Sequence, residues 1–100
     1  DPQGGLERLM GYEAEYHPDV ASKDLPSIPR NLRDRIKKAI EVRLLHDPVM
    51  AGKPLRQSLK GHHKMRVGDY RVIYHVTGQK IMILKIGHRK EVYSRIFGRI

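Results

Sequence analysis

The sequence predicts an α+β domain with helices on one face of an antiparallel-rich, four-stranded sheet, and three observations predict it. Leu32, Ile36, Ala39, Ile40 and Leu44 recur at helical spacing on an otherwise basic segment. Three strand-like runs, residues 64–67, 70–76 and 81–87, follow one another across Gly68-Asp69 and Thr77-Gly78-Gln79-Lys80, two short hairpin connections. A further alternating stretch lies near the start of the chain.

Residues 1–9 are Gly-rich and aperiodic and are expected to be a tag or a disordered leader, with a single domain over residues 10–100. From Tyr12 the residues alternate: Tyr12, Ala14 and Tyr16 on one side, Glu13, Glu15 and His17 on the other. Pro18 closes this strand, and Asp19 is placed to cap a short helix to about Ser27, limited by Pro26 and Pro29. Asn31 is the expected N-cap of the main helix, which Asp47-Pro48 ends. Residues 49–61 read as a connecting loop pinned by Leu55 and Leu59. After the meander, Val92 with Ile96 and Tyr93 with Phe97 stand at i,i+4 spacing, which predicts a short terminal helix over residues 91–100.

Twenty Lys and Arg against eleven Asp and Glu leave a net charge of +9 in 100 residues. No cysteine is present, which excludes a disulfide framework, a thiolate zinc site and a Cys nucleophile. No apolar run approaches the roughly 20 residues that span a bilayer. The expectation is a cytoplasmic protein without membrane contact, whose charge suits a polyanion.

Alternation divides the meander into two faces. Val72, Tyr74 and Val76 oppose Arg71, Ile73 and His75; Met65 and Val67 oppose Lys64 and Arg66; Met82, Leu84 and Ile86 oppose Ile81, Ile83 and Lys85. Extending the parity past Gly87 puts Arg89 with Lys85. The open face is thus expected to gather Lys64, Arg66, Arg71, Lys85 and Arg89, with His88 and Tyr93 at its rim. Several cations on one face repel unless an anion joins them, which makes the cluster a candidate phosphate site, against the plainer reading of a solvated strand face. Arg33, Lys37 and Lys38 read as an ordinary wet helix face.

No GxGxxG or GKS/T loop and no paired carboxylates supply parts for oxidoreduction, NTP hydrolysis or glycoside cleavage. No cofactor and no metal site is expected: His62 and His63 are adjacent and diverge on a strand, and His75 reads as a satisfied sheet residue. RNA cleavage needs neither, because the 2′-hydroxyl is a nucleophile already tethered to the scissile phosphate. Arginines suit the phosphorane, and Lys64, Tyr93 and His88 are candidate proton carriers.

The stretches KPLRQSLKGHHKMRVGDYRVIYHV and ILKIGHRKEVYSRI resemble the RelE/ParE superfamily of toxins from type II toxin–antitoxin modules. The resemblance runs from about Tyr12 to Ile96. Its most specific parts are Leu59-Lys60-Gly61, the hairpin from Arg66 to Arg71, and Gly87-His88-Arg89 with Glu91-Val92-Tyr93. It implies a microbial-RNase-like RelE fold and, for the RelE-like branch, a ribosome-dependent mRNA interferase that cuts in the A site, leaving a 2′,3′-cyclic phosphate and a 5′-hydroxyl. Family catalytic positions fall on Lys64, Arg66, Arg71, Arg89 and Tyr93, with Lys64 or Tyr93 as base, Arg66 and Arg71 on the phosphate and Arg89 assisting the leaving group. Members often carry lysine where this chain has Arg66. Lys85 and His88 are supporting candidates. The partners implied are mRNA on the ribosome, a RelB-like antitoxin, and operator DNA reached through the antitoxin complex. Ile73, Ile83 and Phe97 are candidates for the antitoxin contact, with core packing the expectation for Phe97. The rival readings are a ParE-like poison of DNA gyrase and a non-catalytic RNA-binding module.

Overall fold

The computed structural model describes residues 12–100, so the expected leader at 1–9 lies outside it. Five strands form one sheet in the order β1-β5-β4-β3-β2: β1 (Glu13–Tyr16), β2 (Lys53–Pro54), β3 (His63–Val67), β4 (Tyr70–Thr77) and β5 (Lys80–His88). β1 runs parallel to β5 and every other pairing is antiparallel. The strand missing from the expected four is β2, two residues against His63 and Lys64 at the sheet edge. So short a strand carries no alternation for a sequence to display.

The helix layer begins with a π-helical turn, Val20–Asp24, that runs into a 3-10 turn, Leu25–Ser27. Helix α1 (Arg30–Ala39) starts one residue before the expected cap. Pro29 sets its entry, and the Pro29 carbonyl accepts from the Leu32 and Arg33 amides at 3.0 and 2.9 Å, so Asn31 lies inside the first turn and does not cap. The helix continues through a wider turn, Ile40–Leu44, in which the Leu45 amide donates to the Ile40 carbonyl at 2.9 Å. Asp47 both ends this run and caps a second short helix, α2 (Pro48–Ala51), its carboxylate accepting the Met50 amide at 3.2 Å.

Ile36, Ile40 and Leu44 pack with Val20 and Ile28 onto Met65, Val67, Val72, Tyr74, Ile81, Ile83 and Ile86. The membership of Ile81 and Ile83 corrects the expected parity of β5. Tyr74 pairs with Ile83 and Ile73 with Lys85, so Leu84 is an extra residue, a bulge, and the face each residue takes reverses across it. Ile83 is therefore fully buried on the helix side, and it presents nothing to a partner.

The opposite face is not open either. Ile73 is fully buried there under Val92 and Ile96, with Leu55 and Leu59 packed around them. The C-terminal segment forms turns over residues 89–95 and a 3-10 helix, Ile96–Arg99, in place of the expected continuous helix. Arg95 takes φ +58°, which breaks α-helical continuation and leaves Phe97 62% exposed, against the expected packing.

Two buried polar contacts hold these layers. Beyond Ile83 β1 no longer covers the edge of β5, and there Asp24 accepts the Ile86 amide at 2.9 Å while Arg99 donates to the Leu84 carbonyl at 3.1 Å. Asp24 and Arg99, 6% and 9% exposed at the side chain, meet in a two-bonded pair at 2.5 and 2.8 Å. The second contact is the Tyr74 hydroxyl, which donates to the Pro48 carbonyl at 2.7 Å. Gly52 permits this close passage, since a methyl group there would overlap both the Tyr74 hydroxyl and the Lys64 carbonyl.

Removing one member of the buried pair strands the other. Asp24→Ala is expected to lower unfolding free energy by about 3 to 5 kcal/mol in urea melts, and Asp24→Leu with Arg99→Met to recover part of that loss. Burial pushes the Tyr74 hydroxyl up to about 12, with Arg43 opposing and Asp47 adding. Above pH 10 the unfolded chain loses this proton and the folded chain keeps it, so stability falls as pH rises from 10 to about 12. Tyr74 is expected to account for a loss of about 2 to 3 kcal/mol across that window, so that Tyr74→Phe loses less stability than the wild type by that amount, as read by denaturation at pH 9 and 12.

Candidate anion-binding face

The ladder places three of the expected cations together. Arg66 pairs with Arg71 across β3 and β4, and Lys64 pairs with Ile73 one row along on the same face. The Arg71 guanidinium is tethered at the hairpin, its Nη1 donating to the Gly68 and Tyr70 carbonyls at 3.0 and 2.9 Å. Gly68, at φ +60°, supplies the left-handed backbone of this two-residue turn. No carboxylate among the described residues lies within ion-pair distance of Lys64, Arg66 or Arg71.

Tyr93 reaches this group because the C-terminal turns cross the strand ends at Gly87, where an added Cβ would touch Val92 at 3.5 to 3.6 Å. Its side chain is part-exposed at 39%. Burial raises the phenol above its ordinary value, and the nearby Arg71 charge works in the opposite direction. Like any phenol of ordinary or raised pKa, the hydroxyl is a neutral donor near neutral pH. Arg89 joins at the same end of the sheet: its amide donates to the Asp69 carbonyl at 2.8 Å and its Nε stands 3.8 Å from the Asp69 carboxylate. Both side chains are largely exposed, so this pair is weak and open to exchange with another anion.

Lys85 and His88 stand apart from the cluster. Lys85 shares the face, but its ammonium donates to the Ser94 carbonyl, and burial followed by the charges of Arg99 and Arg95 lowers its pKa. It fastens the turn that carries Tyr93. His88 pairs with Tyr70 on the helix side, the rings edge to face at 5.7 Å, and its Nδ1 accepts the Lys90 amide at 3.2 Å. The expected place at the rim of the cationic face is thus not where the register puts it.

Asp69 was not among the sequence candidates. Its signal was present: an acid in the β3–β4 turn, adjacent to Tyr70, faces the residue after His88 once the hairpins are in register. Asp24 and Arg99 had no such signal, being 75 residues apart. No group of three or more His, Asp or Glu among the described residues could hold a metal ion. A separate apolar cleft of about 710 Å³, between the first helical turns and α1, contains none of the candidate residues.

The fold and this face define a small sheet-based domain that presents fixed, unneutralised cations beside a neutral phenol. A family model described as "ParE toxin of type II toxin-antitoxin system, parDE" matches residues 15–93. Toxin RelE of Mycobacterium tuberculosis is 33% identical over 89 residues, which cover 84% of this chain and 92% of that protein. Toxin RelE3 of Methanocaldococcus jannaschii is 35% identical over 75 residues, covering 72% and 85%. Among solved structures, the toxin–antitoxin complex RelBE2 from M. tuberculosis superposes with a TM-score of 0.72 at 28% identity, over 79% of this chain and 99% of that one. An arginine-to-alanine double mutant of Escherichia coli toxin RelE in the free state shares the fold, at TM-score 0.68 and 19% identity, over 90% and 94%. The chain belongs to the ParE/RelE family of type II toxin–antitoxin toxins.

The Arg71 charge is what lowers the Tyr93 phenol against burial. Arg71→Ala is therefore expected to move the Tyr93 titration to higher pH, followed by ultraviolet difference absorbance against a Tyr93→Phe reference; an unmoved or lowered midpoint contradicts the electrostatic coupling.

Proposed function

We propose that this toxin is an endoribonuclease that cleaves mRNA in the ribosomal A site without a metal ion. The observation that carries the reading is the cross-strand cluster of Lys64, Arg66 and Arg71, without a carboxylate partner among the described residues, with the Tyr93 phenol within reach of the Arg71 charge. Three tasks must be met in such a reaction, and the face has a group for each. Arg66 and Arg71 hold the scissile phosphate and offset the charge that builds on it in the phosphorane. Lys64, in its free-amine form, takes the 2′-hydroxyl proton as the 2′-oxygen attacks phosphorus. The bond to the 5′-oxygen breaks, and Tyr93, a neutral phenol at this pH, gives that oxygen its proton. Arg89, released from Asp69 by the RNA, stabilises charge on the departing side. The products are a 2′,3′-cyclic phosphate and a 5′-hydroxyl end.

Curated relatives named RelE and the RelBE2 complex support this branch and an antitoxin partner for this chain, a RelB-like protein that covers the basic face or shifts the C-terminal segment. Operator DNA is then reached through the antitoxin. The family model carries the ParE name, and that favours the alternative of a toxin that binds DNA gyrase and cuts no RNA.

Defined mRNA on programmed ribosomes separates the two. Cleavage with cyclic-phosphate ends is expected from the wild type. Tyr93→Phe is expected to slow it by about 10² to 10⁴-fold, and Arg71→Ala by about 10² to 10³-fold. Intact mRNA with folded wild-type protein, together with inhibited gyrase supercoiling, establishes the alternative. Salt-sensitive RNA binding without cleavage or gyrase inhibition establishes a binding module.

A further inference from the structure

The sheet face that carries Lys64 and Arg71 changes character towards its other end. There His62 and His75 meet edge to face with ring centroids 5.4 Å apart, and the register sets Met82 directly across from His75. All three line one pocket of about 530 Å³. His17 also lines it, but its Nδ1 accepts the Asp19 amide at 3.1 Å, which leaves the ring proton on Nε2 and no second lone pair to offer. His63 is excluded by the alternation of β3: its ring stacks on Tyr74 at 5.5 Å, on the helix side.

We propose that His62, His75 and Met82 bind one copper ion through two imidazole nitrogens and the Met82 thioether. The site lies at the other end of that face from the Lys64, Arg66 and Arg71 cluster and does not rest on the RNA-cleaving function. Extending the β3–β4 register by one residue sets His62 opposite His75, so His62, His75 and Met82 stand in one row across three neighbouring strands. The His75 Nδ1 stands 3.4 Å from the Thr77 hydroxyl, a second partner of the kind that orients a ligating ring and leaves Nε2 for the metal.

The donor set chooses the metal. With no carboxylate and no thiolate in it, hard cations such as Mg²⁺ and Ca²⁺ have nothing to hold, while imidazole with thioether suits copper, Cu(I) above all. Arg99 also lines the pocket, yet its charge is taken up by Asp24 and Asp19. The sulfur is what completes the set, because no third His, Asp or Glu converges there among the described residues.

The test is titration of the full chain with Cu(I), in competition with bicinchoninate, and with Cu(II) by calorimetry. One equivalent is expected to bind the wild type. His62→Gln and His75→Gln are each expected to weaken both ions by about ten-fold or more. Met82→Leu is expected to weaken Cu(I) and leave Cu(II) near the wild-type value, and His63→Gln to change neither. His62→Gln lies outside the strands and serves as the check if His75→Gln fails to fold. Wild-type affinity in both His62→Gln and His75→Gln overturns the proposal. So does loss of binding in His63→Gln, which assigns the copper to the adjacent His62-His63 pair alone.

Discussion

One extra residue in β5 governs where everything else lies. Without the bulge at Leu84, strict alternation would send Ile81 and Ile83 to one face and Ile86 to the other. With it, all three reach the helix-covered core, and Met82 and Lys85 share the opposite face. The bulge falls where β1 stops, so β5 has unpaired backbone groups just there. Asp24 and Arg99 satisfy them and each other, and thereby bind the first helical turns and the last residues of the chain to the same point. Buried ion pairs gain little over a well-packed apolar pair, but losing one partner is severe, so the arrangement acts chiefly as a registration device.

That registration matters to the cationic face. Tyr93 rides on a segment anchored at both ends: Val92 on Gly87 and Ile73 at the start, Arg99 on Asp24 at the finish, with the Lys85 ammonium on the Ser94 carbonyl between them. The segment has little regular structure of its own. Its place comes from the sheet beneath it, so tertiary packing brings the Tyr93 phenol within reach of the Arg71 charge. Arg71, in contrast, is held by its own hairpin, three residues of local backbone.

The same face also explains an economy of charge. The molecule carries +9, and the carboxylates that form ion pairs among the described residues do so elsewhere: Asp24 and Asp19 with Arg99, Asp19 also with Lys23, Glu15 with Lys80, and Asp69 loosely with Arg89. Lys64, Arg66 and Arg71 are left for an anion. Holding them together costs Coulomb repulsion in the free protein, which a rigid antiparallel ladder sustains and a phosphate relieves.

Much of this was legible in the sequence, and the boundary has a physical cause. Period-two alternation in β3 and β4 assigned Lys64, Arg66 and Arg71 to one face correctly, because side chains of an unbroken strand have no other choice. Helical spacing found Ile36, Ile40 and Leu44 for the same reason. Parity carried past Gly87 and the family motifs both pointed to Arg89, whereas the role given to Tyr93 came from the motifs alone. What local pattern could not carry were features set by contacts distant in the chain: the two-residue β2, the bulge that turned Ile83 inward, the Arg95 conformation that ended the terminal helix, and the pairing of Asp24 with Arg99. Alternation is a property of neighbours along the backbone, whereas a bulge or a buried ion pair is chosen by what waits across the sheet. The sequence by itself determined the class of fold and which cations share a face; only the tertiary structure decided which apolar side chains cover that face and what stands next to Arg71.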